Sequence, residues 1–177
     1  MTTSLHQPNA LRQLILVRHG KSCWETPLPD HQRPLAQRGK KTVPLASHWL
    51  VKQPWQGERM LCSTAARTQQ TAALLMDVLQ LESDCLQLDQ RLYEADPDNI
   101  LSVINEMPTD ISCLIVVGHN PGLDCLIELL DGPIKAPSDQ KAFPTAAVAR
   151  LVSSSDNWNL QANNTRLIDI NRPVDYS

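Results

Sequence analysis

At 177 residues, with 42% hydrophobic and 20% charged side chains, the chain has the composition of one globular domain large enough to bury a sizeable core. No apolar run approaches the roughly 20 residues that span a bilayer. A net charge of −3 argues against a broad surface for nucleic acid or anionic membrane. The five cysteines include no Cys-x-x-Cys pair, which fits free thiols in a reducing cytoplasm and not a zinc site. Met1 to Asn9 is polar, without the basic and apolar regions of a secretory signal, so the expected location is cytoplasmic.

Leu11 to Val17 is predicted as a fully buried strand, short and apolar and closed by Arg18-His19-Gly20. Lys21 to Arg33 has no period and reads as an ordered loop. A helix is expected from about Gly39 to Lys52, with Val43, Ala46, Trp49 and Leu50 inward and Pro44 in its first turn or at a kink. Arg59 to Cys62 reads as a second buried strand, and Ser63 or Thr64 as the cap of the next helix, whose inner face is Thr71, Leu74, Leu75, Val78 and Leu79. Cys85 to Leu88 is a short strand. Asp96-Pro97 opens a helix, as an N-cap followed by proline at the first position.

Ile111 to Val117 is a third buried strand running into Gly118-His119-Asn120-Pro121, and Pro121 opens a further helix. Pro133 to Pro144 reads as a loop. Thr145 to Val152 and Trp158 to Ile168 read as two strands joined in a hairpin at Ser153 to Asn157. Strands alternating with helices predict an α/β sandwich whose sheet is mostly parallel, with an antiparallel C-terminal edge.

Ligands of open α/β sheets sit outside the carboxyl ends of the strands. Arg18, His19, Arg67 and His119 all fall there on this reading, so they converge although far apart in sequence. Arg67 lies in the first turn of its helix, where unpaired amides and the helix dipole already favour an anion. Guanidinium forks match phosphate oxygens bidentately. A neutral imidazole in line with phosphorus can attack it, and a second histidine, when cationic, stabilises charge on the equatorial oxygens. The flanking arginines oppose a metal between the two histidines.

Three segments carry a family resemblance: Leu16-Val17-Arg18-His19-Gly20, Ser63 to Ala72, and Val117-Gly118-His119-Asn120-Pro121-Gly122. In that order they resemble the signatures of the histidine phosphatase superfamily, and within it the short phosphohistidine phosphatase (SixA) branch. Asp30 to Gly39, Leu92-Tyr93-Glu94-Ala95 and Phe143 to Ala149 resemble that branch as well. The resemblance spans about residues 12 to 168. It implies a phosphoglycerate mutase-like three-layer α/β/α sandwich, forming one domain with polar tails. It also implies a phosphatase without metal or other cofactor, with His19 as nucleophile and Arg18, Arg67 and His119 as the phosphate pocket. Gly20, Lys21 and Asn120 are further candidates for substrate binding.

The inserted segment that carries an acidic proton donor in many members is missing from this short chain. Glu94 is the nearest candidate general acid, although Tyr93-Glu94-Ala95 also reads as a lead into the next helix. A site without a strong donor favours P–N bonds, because imidazole, with an ordinary pKa of about 6.5, is protonated before it leaves, whereas an alcohol is not. The leading expectation is dephosphorylation of phosphohistidine on a phosphorelay or phosphotransfer protein. The alternatives are a phosphatase of a small phosphorylated metabolite, with Lys135 or Lys141 as added specificity groups, and a non-catalytic phosphate- or phosphoprotein-binding module.

Overall fold

The computed structural model describes residues 11–173 apart from 26, 56, 137, 139 and 140; the polar tails at residues 1–10 and 174–177 lie outside the described residues. Six strands form one sheet: β1 (Arg12–Arg18), β2 (Arg59–Ser63), β3 (Leu86–Asp89), β4 (Cys113–Gly118), β5 (Val148–Ser153) and β6 (Thr165–Asn171). Their order is β3-β2-β4-β1-β5-β6. The first four run parallel, and β5 and β6 add the antiparallel edge.

Because β1 and β4 are central, their residues are covered on both faces and read as unbroken apolar runs rather than alternating ones. One face carries Ile15, Val17, Ile115 and Val117 against α1 (Gln37–Val51) and α2 (Ala66–Leu79). The other carries Leu14, Leu16, Leu114 and Val116 against α3 (Pro97–Asn105) and α4 (Gly122–Asp131). The three-layer sandwich expected from the sequence is therefore the observed fold.

Local signals are borne out unevenly. Asp96 caps α3, accepting from the Asn99 amide at 2.8 Å, with Pro97 in the first turn. Neither Ser63 nor Thr64 caps α2: the N-cap is Ala65, without a side-chain bond, and the Thr68 hydroxyl instead turns back onto the carbonyls of Ser63 and Ala65. Pro44 lies in the body of α1 rather than its first turn, and the helix continues through it to Val51.

The C-terminal hairpin is also corrected. No strand begins at Trp158; residues 154–164 form the connection and β6 starts at Thr165. Trp158, only 1% exposed, is drawn into the α3/α4 core, where burying a large ring outweighs continuing a ladder.

Candidate active site

Sheet register assembles the site. Arg18 of β1 lies opposite Gly118 of β4, and the His19 amide donates to the Gly118 carbonyl at 3.1 Å. His19 and His119 thus leave neighbouring parallel strands at one level, with ring centroids 5.1 Å apart. On the other side of β4, Cys62 of β2 lies opposite Val117, which puts Ser63 level with Gly118, one residue before His119; Ser63 Oγ and His119 Nε2 are 2.8 Å apart. Arg67, in the first turn of α2, places Nη2 3.3 Å from His119 Nδ1. Arg18 donates through Nη1 to the Phe143 carbonyl at 2.7 Å, and its Nε is buried without a partner among the described residues. Such a buried N–H is a donor that an anionic oxygen would satisfy.

The partners fix the tautomers. His19 Nδ1 is 2.7 Å from the Gly20 carbonyl, which only accepts, so Nδ1 carries the proton and Nε2 keeps its lone pair. Arg67 only donates, so His119 Nδ1 is an acceptor and Nε2–H donates to Ser63 Oγ. Burial lowers the His19 pKa to about 4, with Arg67 and Arg18 adding to it against the Gly20 carbonyl and Asp30. Burial, then His19 and Arg67, lowers His119 to about 3. The resting His119 is therefore neutral, not the cation that sequence reasoning entertained: two buried imidazoles between two arginines leave no room for a third positive charge.

The remaining residues singled out from sequence take varied places. The Gly20 amide donates to Thr71 Oγ1 at 3.1 Å, and that hydroxyl donates to the Arg67 carbonyl at 2.7 Å. One side chain of α2 thereby ties the loop after His19 to the helix turn bearing Arg67. Gly20 is needed for close packing, since a Cβ there would lie 2.8 Å from Val43 Cγ2. Lys21 is exposed, and its carbonyl accepts from the Ala36 amide. Asn120 donates to Asp124 at 2.6 Å and to the Phe143 carbonyl at 3.1 Å, the same carbonyl that holds Arg18. Glu94 adopts a left-handed backbone (φ 52°) and lines, with His119, Asn120 and Asp96, a cavity of about 370 Å³. Lys135 lies in the 133–144 segment, where its carbonyl accepts from Arg172, apart from the two histidines.

Read from sequence, Asp30, Tyr93, Ser63 and Thr71 have no part in the site; Ser63 reads there as a helix cap and Thr71 as a residue of the inner helix face. The excursion from Lys21 to Ala36 is closed at its base by the Ser22–Leu35 bridge, and its tip, a 3-10 turn at Asp30–Gln32, returns over α2. There Asp30 Oδ2 accepts from Arg67 Nη2 and from the Tyr93 hydroxyl, both at 2.8 Å. His31 Nε2 is 2.9 Å from Thr64 Oγ1 and its ring stands edge-on to Tyr93. Asp30 and Tyr93 lie in segments that the family resemblance already marked, which was the available signal.

Two histidines with ring centroids 5.1 Å apart, one with a free Nε2, stand with Arg18 and the buried Arg67 at the carboxyl end of an α/β sheet, an arrangement that can accept an anionic group. The chain belongs to the histidine phosphatase superfamily (branch 1), whose sequence pattern residues 14–100 match. A protein of Mycobacterium tuberculosis is 33% identical over 140 residues, covering 76% of this chain and 85% of the relative. Phosphohistidine phosphatase SixA of Escherichia coli K12 is 24% identical over 157 residues, covering 88% of this chain and 97% of the relative. Among solved structures, a candidate phosphohistidine phosphatase SixA from Nakamurella multipartitia superposes with a TM-score of 0.78 at 28% identity, covering 96% of this chain and 100% of that one. The chain is thus a histidine phosphatase of SixA-like fold.

Proposed function

We propose that this phosphatase removes the phosphoryl group from phosphohistidine on a phosphorelay or phosphotransfer protein, through a covalent intermediate on His19 and without a metal. The observation that carries this reading is the His19 Nδ1 contact with the Gly20 carbonyl, which leaves Nε2 as the nucleophilic nitrogen beside Arg18, Arg67 and His119. His19 Nε2 forms a bond to phosphorus as the P–N bond to the substrate breaks. The substrate imidazole, protonated beforehand on its other nitrogen, departs neutral. His19 now holds a proton on Nδ1 and phosphorus on Nε2, and the Gly20 carbonyl stabilises that cationic ring. Water then attacks phosphorus, its proton leaves with the phosphate, and His19 returns to its starting tautomer.

Arg18 and Arg67 bind the phosphoryl oxygens, and His119 orients within hydrogen-bonding reach of Arg67. Gly20, Lys21 and Asn120 serve by shaping and holding the loops around the pocket. Glu94 is the general acid for ester substrates, whose leaving oxygen needs a proton. The short excursion and the absence of a helix long and apolar enough to cross a membrane, among the described residues, suit a protein substrate in the cytoplasm. The related SixA proteins support the phosphohistidine reading by their names.

The test is phosphate release in EDTA from a histidine-phosphorylated protein and from an aryl phosphate. Turnover of the first at the higher kcat/KM is expected; turnover of the aryl phosphate alone would move the assignment to small-molecule esters.

A further inference from the structure

Asp30 puts a negative charge on the arginine that the phosphoryl group has to use. Both terminal nitrogens of Arg67 are engaged by this one residue, Nη2 with its carboxylate at 2.8 Å and Nη1 with its main-chain carbonyl at 2.7 Å. The other carboxylate oxygen accepts from Arg33 Nη1 at 3.0 Å, and Tyr93 adds its hydroxyl to the first. The Arg67 side chain is 8% exposed whereas that of Asp30 is 41% exposed, so the carboxylate stands between the buried guanidinium and solvent. Tyr93 and Arg33 are themselves held, the tyrosine edge-on to His119 and His31, and the arginine over the exposed Trp24 ring at 3.5 Å. The carboxylate therefore has a fixed place, two hydrogen bonds from His119 Nδ1 by way of Arg67 Nη2.

A fixed anion at this position acts differently on two kinds of phosphoryl ligand. A phosphomonoester brings two negative charges and nothing to offset them. A phosphoryl group on a protonated ring nitrogen brings the same two charges and a cation next to them. We propose that Asp30 is a specificity-determining residue of the phosphoryl pocket, disfavouring phosphomonoester dianions and inorganic phosphate relative to phosphoryl groups carried on a cationic nitrogen, while its two bonds to Arg67 hold that guanidinium in place. The proposal deepens the phosphohistidine reading above and rests on it for the identity of the favoured substrate.

Asp30→Asn removes the charge and keeps an oxygen for Arg67 or Tyr93, whereas Asp30→Ala removes both. One unit charge about 6 Å from another at an effective dielectric of about 40 changes affinity about tenfold, and one facing a dianion about a hundredfold. In Asp30→Asn, inhibition by inorganic phosphate should tighten by about tenfold to a hundredfold, according to how far the phosphate is ionised. The ratio of kcat/KM for a phosphohistidine peptide to that for 4-nitrophenyl phosphate, which differ by one unit charge, should fall about tenfold. Asp30→Ala should lower kcat for both substrates by loosening Arg67, and Asp30→Asn should recover most of it. A ratio unchanged within twofold in Asp30→Asn, or weaker inhibition by phosphate, overturns the proposal. A wild-type enzyme that hydrolyses 4-nitrophenyl phosphate but not the peptide overturns the phosphohistidine reading instead; tighter phosphate inhibition in Asp30→Asn would then still uphold the charge effect.

Discussion

Ser63 Oγ lies 2.8 Å from His119 Nε2, and the parallel pairing of β2 with β4 brings the two strand ends together, with Ser63 one level before His119. With Arg67 donating to Nδ1, this hydroxyl is the acceptor that holds His119 in its Nε2–H tautomer. Ser63 is fully buried, so its replacement by alanine leaves an imidazole N–H without a partner. Ser63→Ala is expected to cost about 1–3 kcal/mol of stability. It should also lower kcat more than it raises KM, since it releases the His119 ring without removing an arginine. Urea unfolding alongside steady-state kinetics checks both; an unchanged kcat would remove Ser63 from the site.

The two depressed histidine pKa values set a pH signature. In the unfolded chain a histidine takes up its proton near pH 6.5; in the fold His19 does so at about 4 and His119 at about 3. Between those values the unfolded state binds more protons, so stability rises with pH, is fully present above about 6.5 and is lost as pH falls toward 4. For the same reason His19 stays unprotonated well below pH 6.5, as the proposed nucleophile has to. After correction for substrate ionisation, the acid limb of kcat/KM should fall near pH 4 to 5. A limb at pH 6.5 would contradict the burial argument.

Glu94 and His119 share the walls of one cavity. An ester oxygen is a poor leaving group unless protonated, because it would depart as a strongly basic alkoxide, and imidazole protonated beforehand does not need this help. Glu94→Gln should therefore lower turnover of an alkyl or aryl phosphate at least tenfold and leave phosphohistidine turnover within about twofold. Equal losses on both substrates would point to a structural role for the residue 93–96 turn.

Gly122 opens α4 where the chain meets the carbonyl of Ala95; a Cβ there would stand 2.0 Å from that oxygen. Main chain on both sides has little freedom to retreat, so Gly122→Ala should destabilise by about 1–3 kcal/mol. Because the displaced turn carries Tyr93 and Glu94, activity should fall with it. Thermal unfolding that matches the wild type would show that the turn yields more easily than its packing implies.

Much of the architecture was legible because β1, β2 and β4 are buried on both faces and the Asp96-Pro97 helix start is a local signal. The convergence of Arg18, His19, Arg67 and His119 followed from strand ends alone. Trp158 was misread since its β-favouring type says nothing about the core that claims it. Ser63 was read as a cap, its commonest local use, while the partner it has lies 56 residues away. Asp30 could not be placed on Arg67 from sequence, because the return of the loop tip depends on the closure of Ser22 on Leu35 and on contacts with Thr64 and Tyr93.

The central claim is that phosphate passes through His19. Rapid-quench mixing with a phosphohistidine protein in EDTA, followed by mass spectrometry under alkaline conditions that preserve phosphohistidine, tests it most directly. The account predicts a transient phosphoryl group on the peptide bearing His19, formed as fast as substrate is consumed and absent in His19→Ala, which should fold yet not turn over. Phosphate release at the wild-type rate in His19→Ala, or a phosphoryl group on another residue, would contradict it.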